Sequence, residues 1–380
     1  MITVAELVAR LGLDSSQFAA GVARAQGAAA TMEKSIGDRM TSVGNSMMTT
    51  GRKASLYLTA PIAGALGASA KLFGDFEQTL NVFAETTQAT GTQMKAVSKL
   101  ATDLGADIKL PTTSAKDAAD AMIEMAKAGL SVADTMASAR GVLQLSAAAQ
   151  VDNARAAEIT SNALNAFGLK GDQAVRIADL LAAAANASSV SINDLGFAFQ
   201  MASAVSAQFG LKVEDMTAAL AVMGNAGIKG SDAGTSLKSA MMALAAPGKK
   251  AAGMINELGL KIYDTQGRMK PFRGIIEEVT RATSGLTEEQ RNMALGAIFG
   301  SDGIRAANLV LAAGTEKFDA MSKAIGRQGA AQKLAEAQTK GFKGTVMALR
   351  SQLETLAITV GPIVTKFLGT LVKFVPPLVN

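Results

Sequence analysis

One device recurs along the middle of this chain, a glycine followed directly by leucine or isoleucine, as at Gly129-Leu130, Gly168-Leu169, Gly210-Leu211, Gly227-Ile228 and Gly259-Leu260. A glycine so placed suits the left-handed backbone position just past a helix. The apolar residue behind it folds back on the last turn, as in a Schellman cap. Acids follow shortly at Asp134, Asp172, Glu214 and Asp232, where they face the positive end of the next helix. The pattern predicts short helices turned back on one another as hairpins. Capping-box spacing at Ser131-Val-Ala-Asp134, Ser191-Ile-Asn-Asp194 and Thr287-Glu-Glu-Gln290 marks further helix starts.

Between these signals, apolar residues recur in steps of three and four. Examples are Ala174, Ile177, Ala178 and Leu181; Leu195, Phe199, Ala202, Val205 and Phe209; and Val213, Met216, Leu220 and Met223. The side chains on these stripes are small. Alanine occupies 74 of 380 positions and aromatics only 4%, which favours thin, closely packed helices over a thick aromatic core. With 49% hydrophobic residues the chain can bury a sizeable core, and its length suggests two or three folded units. The 19 methionines read as gap-fillers against the small-residue helices.

Histidine and cysteine are absent, which removes the usual zinc ligands, the imidazole base, the thiolate nucleophile and any disulfide framework. No catalytic residue, cofactor or metal is assigned. The glycine-rich stretch from Gly227 to Gly234 contains Lys229 but lacks P-loop spacing and follows a helix, so it reads as a tight interhelical turn. Neighbouring acids at Glu277-Glu278 and Glu288-Glu289 point in different directions on a helix and read as solvated faces.

The flanks differ from the middle. A stripe from Phe18 through Val22, Ala25, Ala29, Met32 and Ile36 to Met47 has heptad character, and the Thr59-Ala60-Pro61 step interrupts it. Near the other end Phe342, Val346, Leu349, Leu353, Leu356 and Val360 follow the a/d spacing of a coiled-coil seam, expected to stop at Gly361-Pro362. The seam suits either self-association or docking on its own domain, because Lys343, Arg350, Thr345 and Gln352 beside it form no complementary charge code. One departure from helix is expected at Leu260 to Pro271, where alternation around Asp264–Gly267 reads as a short hairpin.

The fold expectation is therefore all-α: alanine-rich helical hairpins or a bundle with one short β-hairpin, flanked by long helices of coiled-coil character. Its divisions are an N-terminal helical segment (1–60), a helical core (61–327) and a coiled-coil onset with an apolar, basic end (328–380).

The net charge of +5 is concentrated at that end, where eight Lys or Arg between Lys323 and Asn380 meet only Glu336 and Glu354. This basic stretch suits DNA, an anionic membrane or an acidic wall, or simply a solvated face, and carries no sign of sequence-specific nucleic-acid reading. The apolar stretch from Ile363 to Val379 is short for a membrane span and contains Lys366 and Lys373, leaving an interfacial helix as an option. Residues Met1 to Asp14 lack the pattern of a secretion signal, so synthesis in the cytoplasm is expected.

Several segments resemble the conserved core region of phage tail tape measure proteins. They are Asn165-Ala-Phe167-Gly168-Leu169, Asn225 to Thr235 with Gly227, Gly230 and Gly234, and Leu258 to Pro271 with Gly259 and Gly267. Upstream, Leu13 to Phe18, Leu58-Thr-Ala-Pro61 and Asp75-Phe76-Glu77 are similar to the family's opening segments, and Gly129 falls in the same series.

The resemblance implies a structural protein inside the tail tube whose length helps set tail length. It implies assembly with tail chaperones and tail tip or baseplate proteins, enclosure by tube protein, and exit ahead of DNA at infection. That means host cytoplasm during assembly and the virion tail lumen afterwards. Self-association is expected from the Phe342–Val360 seam and host inner membrane contact from the apolar, basic end, with a membrane-active ejection protein as the alternative. Even a fully helical chain of 380 residues would reach only roughly 570 Å, and family members are usually longer, so a fragment or early stop is expected.

Overall fold

The structure, a computed structural model, describes residues 67–110 and 112–374, with side chains in the last helix through Lys366. The stripe from Phe18 to Met47 and Pro61 lie outside the described residues. Everything regular among the described residues is helical, and they fall into two compact units: Met1–Ile123 with Thr339–Asn380, and Glu124–Gln338.

In the first unit α1 (residues 67–87) is followed by α2 (Gly91–Gly105) and the start of α3 (Ala115–Lys127). Thr90 caps α2 in a reciprocal box with Gln93. Phe76, Phe83, Val97, Leu104, Ala118 and Met122 are buried here. The chain returns to this unit as α14 (Phe342–Phe374), which contributes Ile358 and Val364 to the buried set.

Contrary to expectation, α14 runs straight through Pro362. A proline ring disfavours helix at the preceding residue chiefly through that residue's Cβ and N–H. Here the preceding residue is Gly361, which has no Cβ and lies against the Phe73 side chain so closely that none would fit.

The second unit is built from stacked hairpins. Helix α4 (Val132–Ala149) packs on α6 (Ala174–Ala187), and α5 (Asn153–Ala166) on α7 (Ile192–Gln208). In the same way α6 packs on α8 (Val213–Asn225), and α7 on α9 (Gly230–Ala245). Each helix thus meets the one two places ahead, giving the layers α4-α6-α8 and α5-α7-α9, the stacking logic of helical repeat proteins. Fully buried Leu143, Ile159, Leu164, Ile177, Leu181, Leu195 and Phe199 fill the space between the layers' helices.

Helices α10 (Lys249–Glu257) and α11 (Phe272–Thr283) follow, and both pack on α12 (Glu288–Ile325). Helix α12 lies along α6, α8 and α9, while α13 (Ala330–Gln338) lies on α4 and α6. Two glycines break α12 into three helical segments: Gly300 at φ 66°, ψ −174° and Gly314 at φ 71°, ψ 179°. That backbone region is open essentially to glycine alone. The second corner returns the chain toward α11, where Phe318 meets Phe272 with ring centroids 5.6 Å apart.

The expected hairpin at Leu260–Pro271 is present only as an isolated antiparallel bridge between Tyr263 and Met269. Two ladder bonds flank it, Asp264 N–H to Arg268 O (2.8 Å) and Lys270 N–H to Ile262 O (2.9 Å). Asp264 closes the turn by accepting from the N–H groups of Gln266 and Arg268. With the turn so tightly tied to one side chain, the extended stretch is too short for a strand.

Candidate functional site

The pairs at Gly129, Gly168, Gly210, Gly227 and Gly259 close as full Schellman motifs. Leu130, Leu169, Leu211, Ile228 and Leu260 each donate five residues back, to the carbonyls of Met125, Leu164, Ser206, Met223 and Ile255 at 2.8–3.2 Å. Each glycine has φ between 62° and 92° and donates three residues back. Gly129, Gly168, Gly227 and Gly259, singled out from sequence, are thus helix stops. Phe167, half-buried, caps α5, and Gly267 (φ 75°) donates to Asp264 O at 3.1 Å in the bridge turn. Phe76 is a core residue of α1.

The segment Asn225–Thr235 is a junction of four elements. Asn225 Oδ1 accepts from Ser189 N–H (2.9 Å), Ser189 Oγ donates to Gly224 O (2.6 Å), and Lys229 Nζ donates to Ser189 O. These contacts tie the α8–α9 turn to the α6–α7 turn. Gly230 opens α9 at φ 59°, and Asp232 in the first turn pairs bidentately with Arg305 of α12. Gly234 lies against α7 so closely that a Cβ would stand 2.5 Å from Ala198 O. Thr235, half-buried, follows it. With Lys229 bonded to a carbonyl and Gly234 pressed on a helix backbone, the stretch works as an interhelical turn.

The Leu258–Pro271 loop is held by other partners. Tyr263 Oη donates to Ala245 O (3.0 Å), and Leu260 and Ile262 are buried. Glu278 of α11 accepts from Lys261 N–H (3.3 Å), Lys270 Nζ (3.0 Å) and Arg281 (2.5 Å). Its side chain is only 13% exposed, so the solvated face expected at Glu277-Glu278 is wrong for Glu278. Desolvation pushes its carboxyl up, but the hydrogen bonds from Lys270, Arg281 and the Lys261 amide, with the Lys270 charge, hold it at about 2.

The C-terminal seam turns outward. Phe342 is 72% exposed, Val346 49%, Leu349 40% and Leu353 51%, while Leu356 and Val360 are half-buried. The face of α14 that packs inside its unit is instead Ser351, Thr355, Ile358, Gly361 and Val364. On that face Thr355 Oγ1 accepts from Ala115 N–H (3.0 Å) and donates to Gly105 O (3.2 Å), joining the end of α2, the start of α3 and α14.

Two concave places occur in the second unit. A cavity of about 30 Å³ between α9, α11 and α12 is lined by apolar side chains such as Met241, Phe272 and Phe299. An open groove of about 520 Å³ lies between α6, α8 and α12, and Lys317 is the charged group among its lining residues. Neither gathers paired carboxylates. Among the described residues no group of three or more acidic, histidine or cysteine side chains is placed to hold a metal. Nor is any single described helix long and apolar enough to cross a membrane.

Two capping positions escaped the sequence reading. Gln150 ends α4 at φ 54°, with Val151 N–H reaching Ser146 O, a Schellman-like stop without glycine. Asp179, buried in α6, bonds the first amides of α13 at 2.7 and 3.0 Å.

Fold and site together define a helical scaffold whose unusual positions are spent on turns and close packing. The chain belongs to the phage-related minor tail protein family, whose sequence profile matches residues 98–300, from α2 through the first segment of α12. It is similar to the tape measure protein of Pneumococcus phage Dp-1, at 32% identity over 98% of this chain and 33% of that protein. The probable tape measure protein of Escherichia phage P2 is 28% identical over 70% of this chain and 32% of its own length. This chain spans about a third of the length of these relatives. No solved structure matches it.

Proposed function

We propose that the chain acts as a structural tape measure component of a phage or prophage tail, with helix packing and self-association as its working parts. The observation that carries this is the alignment with the Dp-1 tape measure protein along 98% of the chain. In this reading residues 61–327 form the core, 1–60 and 328–380 are the flanking segments, and the motif glycines serve as structural joints. The partners are tail tube protein, tail assembly chaperones, tail tip or baseplate proteins, and further copies of the chain. It occupies the tail lumen, contributes to tail length and leaves the tube when the genome is ejected.

The test is protease protection in purified virions carrying an internal epitope in the second unit. The expected result is a chain resistant to protease in intact tails and digested after ejection is triggered. A chain missing from virions, or cleaved while tails are intact, refutes the lumen reading.

A further inference from the structure

We propose that the open groove between α6, α8 and α12 docks an acidic amphipathic helix of another protein. The proposal goes beyond the tail reading and stands without it.

The groove takes its shape from the glycine corner at Gly314. Leu309, Ala312 and Ala313 line it from the segment of α12 before the corner, and Lys317, Ala320 and Met321 from the segment after. The ends of α6 and α8 close it with Ala187 and Ala226. Alanine supplies six of the eleven lining residues, so the floor lies near the helix backbones and the space of about 520 Å³ admits large apolar side chains. That volume falls within the roughly 300–1,000 Å³ of ligand sites, but the groove stands open to solvent, which suits an elongated partner better than a small molecule.

Backbone chemistry selects a helix. An extended segment needs its N–H and C=O groups paired by whatever holds it. The walls here are helices whose backbone groups pair among themselves. The end of α8 is closed too, by Ile228 N–H on Met223 O (3.1 Å) and Ser189 Oγ on Gly224 O (2.6 Å). A docked helix pairs its own backbone and asks only for side-chain contact.

Charge selects the acid. Lys317 is the one charged residue of the lining and joins no ion pair among the described residues. A second cation, Lys229, stands at the α8 end. Its Nζ donates to Ser189 O, and Ser189 N–H is held by Asn225 of the lining at 2.9 Å. Large apolar side chains with carboxylates beside them complement this arrangement. The exposed stripe of α14 from a second copy does not, since Lys343 and Arg350 flank it.

The probe is a synthetic peptide of about five helical turns with leucines on one stripe, glutamates beside it and a photoreactive residue at the stripe's centre. A second version carries lysine in place of glutamate. With the full chain, the glutamate peptide is expected to bind in the micromolar range and to cross-link within residues 309–324, as mapped by mass spectrometry. The lysine peptide should bind at least about tenfold more weakly, and Lys317→Glu should reverse the preference while the melting of the chain is kept.

No binding, equal binding of the two peptides, adducts elsewhere such as residues 342–353, or a preference untouched by Lys317→Glu overturns the proposal. So does a wild-type chain that sediments as a pair and is separated by Ala320→Trp, because the occupant is then a second copy. A chain cleaved by protease in intact tails sinks the lumen reading and leaves the groove proposal intact.

Discussion

Asp179, in the middle of α6, accepts hydrogen bonds from the backbone N–H of Gly329 at 2.7 Å and of Ala331 at 3.0 Å, and so caps α13 from 150 residues away. The first amides of a helix have no partner of their own, and a carboxylate aimed at them satisfies both the hydrogen bonds and the positive end of the helix. Only 9% of Asp179 is exposed, so water cannot replace it.

Asp179→Ala is therefore expected to destabilise the second unit by about 1–3 kcal/mol, since it leaves one buried donor, Ala331 N–H, and one half-buried donor, Gly329 N–H, unpaired. Hydrogen exchange should quicken first in α13. A variant with wild-type stability and unchanged exchange at Gly329 and Ala331 would contradict the cap.

Gly234 and Gly168 separate two reasons for glycine. At Gly234 the obstacle is the Ala198 carbonyl on the facing helix, which cannot turn aside like a side-chain tip. Overpacking of this kind typically costs about 1–3 kcal/mol, occasionally more. At Gly168 no atom lies within 4 Å of a built Cβ, and the penalty is the left-handed backbone alone, about 1–2 kcal/mol. Denaturant titration of Gly234→Ala and Gly168→Ala should show the first as the larger loss, with the separation of α7 and α9 altered only in the first. Equal losses with α7 and α9 undisturbed would remove the close approach as the reason for Gly234.

Thr355→Val keeps the shape of the side chain but leaves Ala115 N–H without its acceptor and Gly105 O without that donor. Buried at 5% exposure, the site should lose about 1–3 kcal/mol from the first unit. Thr355→Ser should restore most of it. If Val and Ser behave alike in thermal melts, the hydroxyl contributes nothing.

Much of this architecture can be read without coordinates because its signals are local. The Gly-Leu pair at Gly168 specifies its own stop within six residues, and Ser191 with Asp194, or Thr287 with Gln290, specifies a start within four; both boxes form as spaced. Ser131 caps α4 as well, though Asp134 turns its carboxylate to Gly171 N–H at 2.9 Å, a partner 37 residues on. What was missed depends on distance along the chain or on a neighbour's shape. Asp179 looks like any helical acid until α13 arrives over it.

Gly300 and Gly314 lack a following apolar residue to signal a stop, since Ser301 and Thr315 come next. Pro362 looked like a terminator because the rule for residues before proline assumes a Cβ that Gly361 does not have. The seam was legible as a spacing, but which way it faces depended on the competing stripe from Ser351 to Val364.

Glu278 gives the second unit an acid-sensitive element. Its carboxyl is lowered from 4.5 to about 2 because, against the desolvation that raises it, Lys270, Arg281 and the Lys261 amide all bond its charged form. A carboxyl depressed in the folded state binds its proton more readily in the unfolded chain. Its contribution is therefore fully present above about pH 4.5 and lost as pH falls from there toward 2. Glu278→Gln should lower stability at pH 7, with a cost of about 2 kcal/mol, typical of hydrogen bonds to a charged group. It should change stability less at pH 2.5, so the curves of mutant and wild type converge on acidification. Loosening should centre on the Lys261–Lys270 loop, where limited proteolysis at pH 7 would find it first. Parallel curves across this window would mean that the carboxyl is not held in its charged form by these three donors.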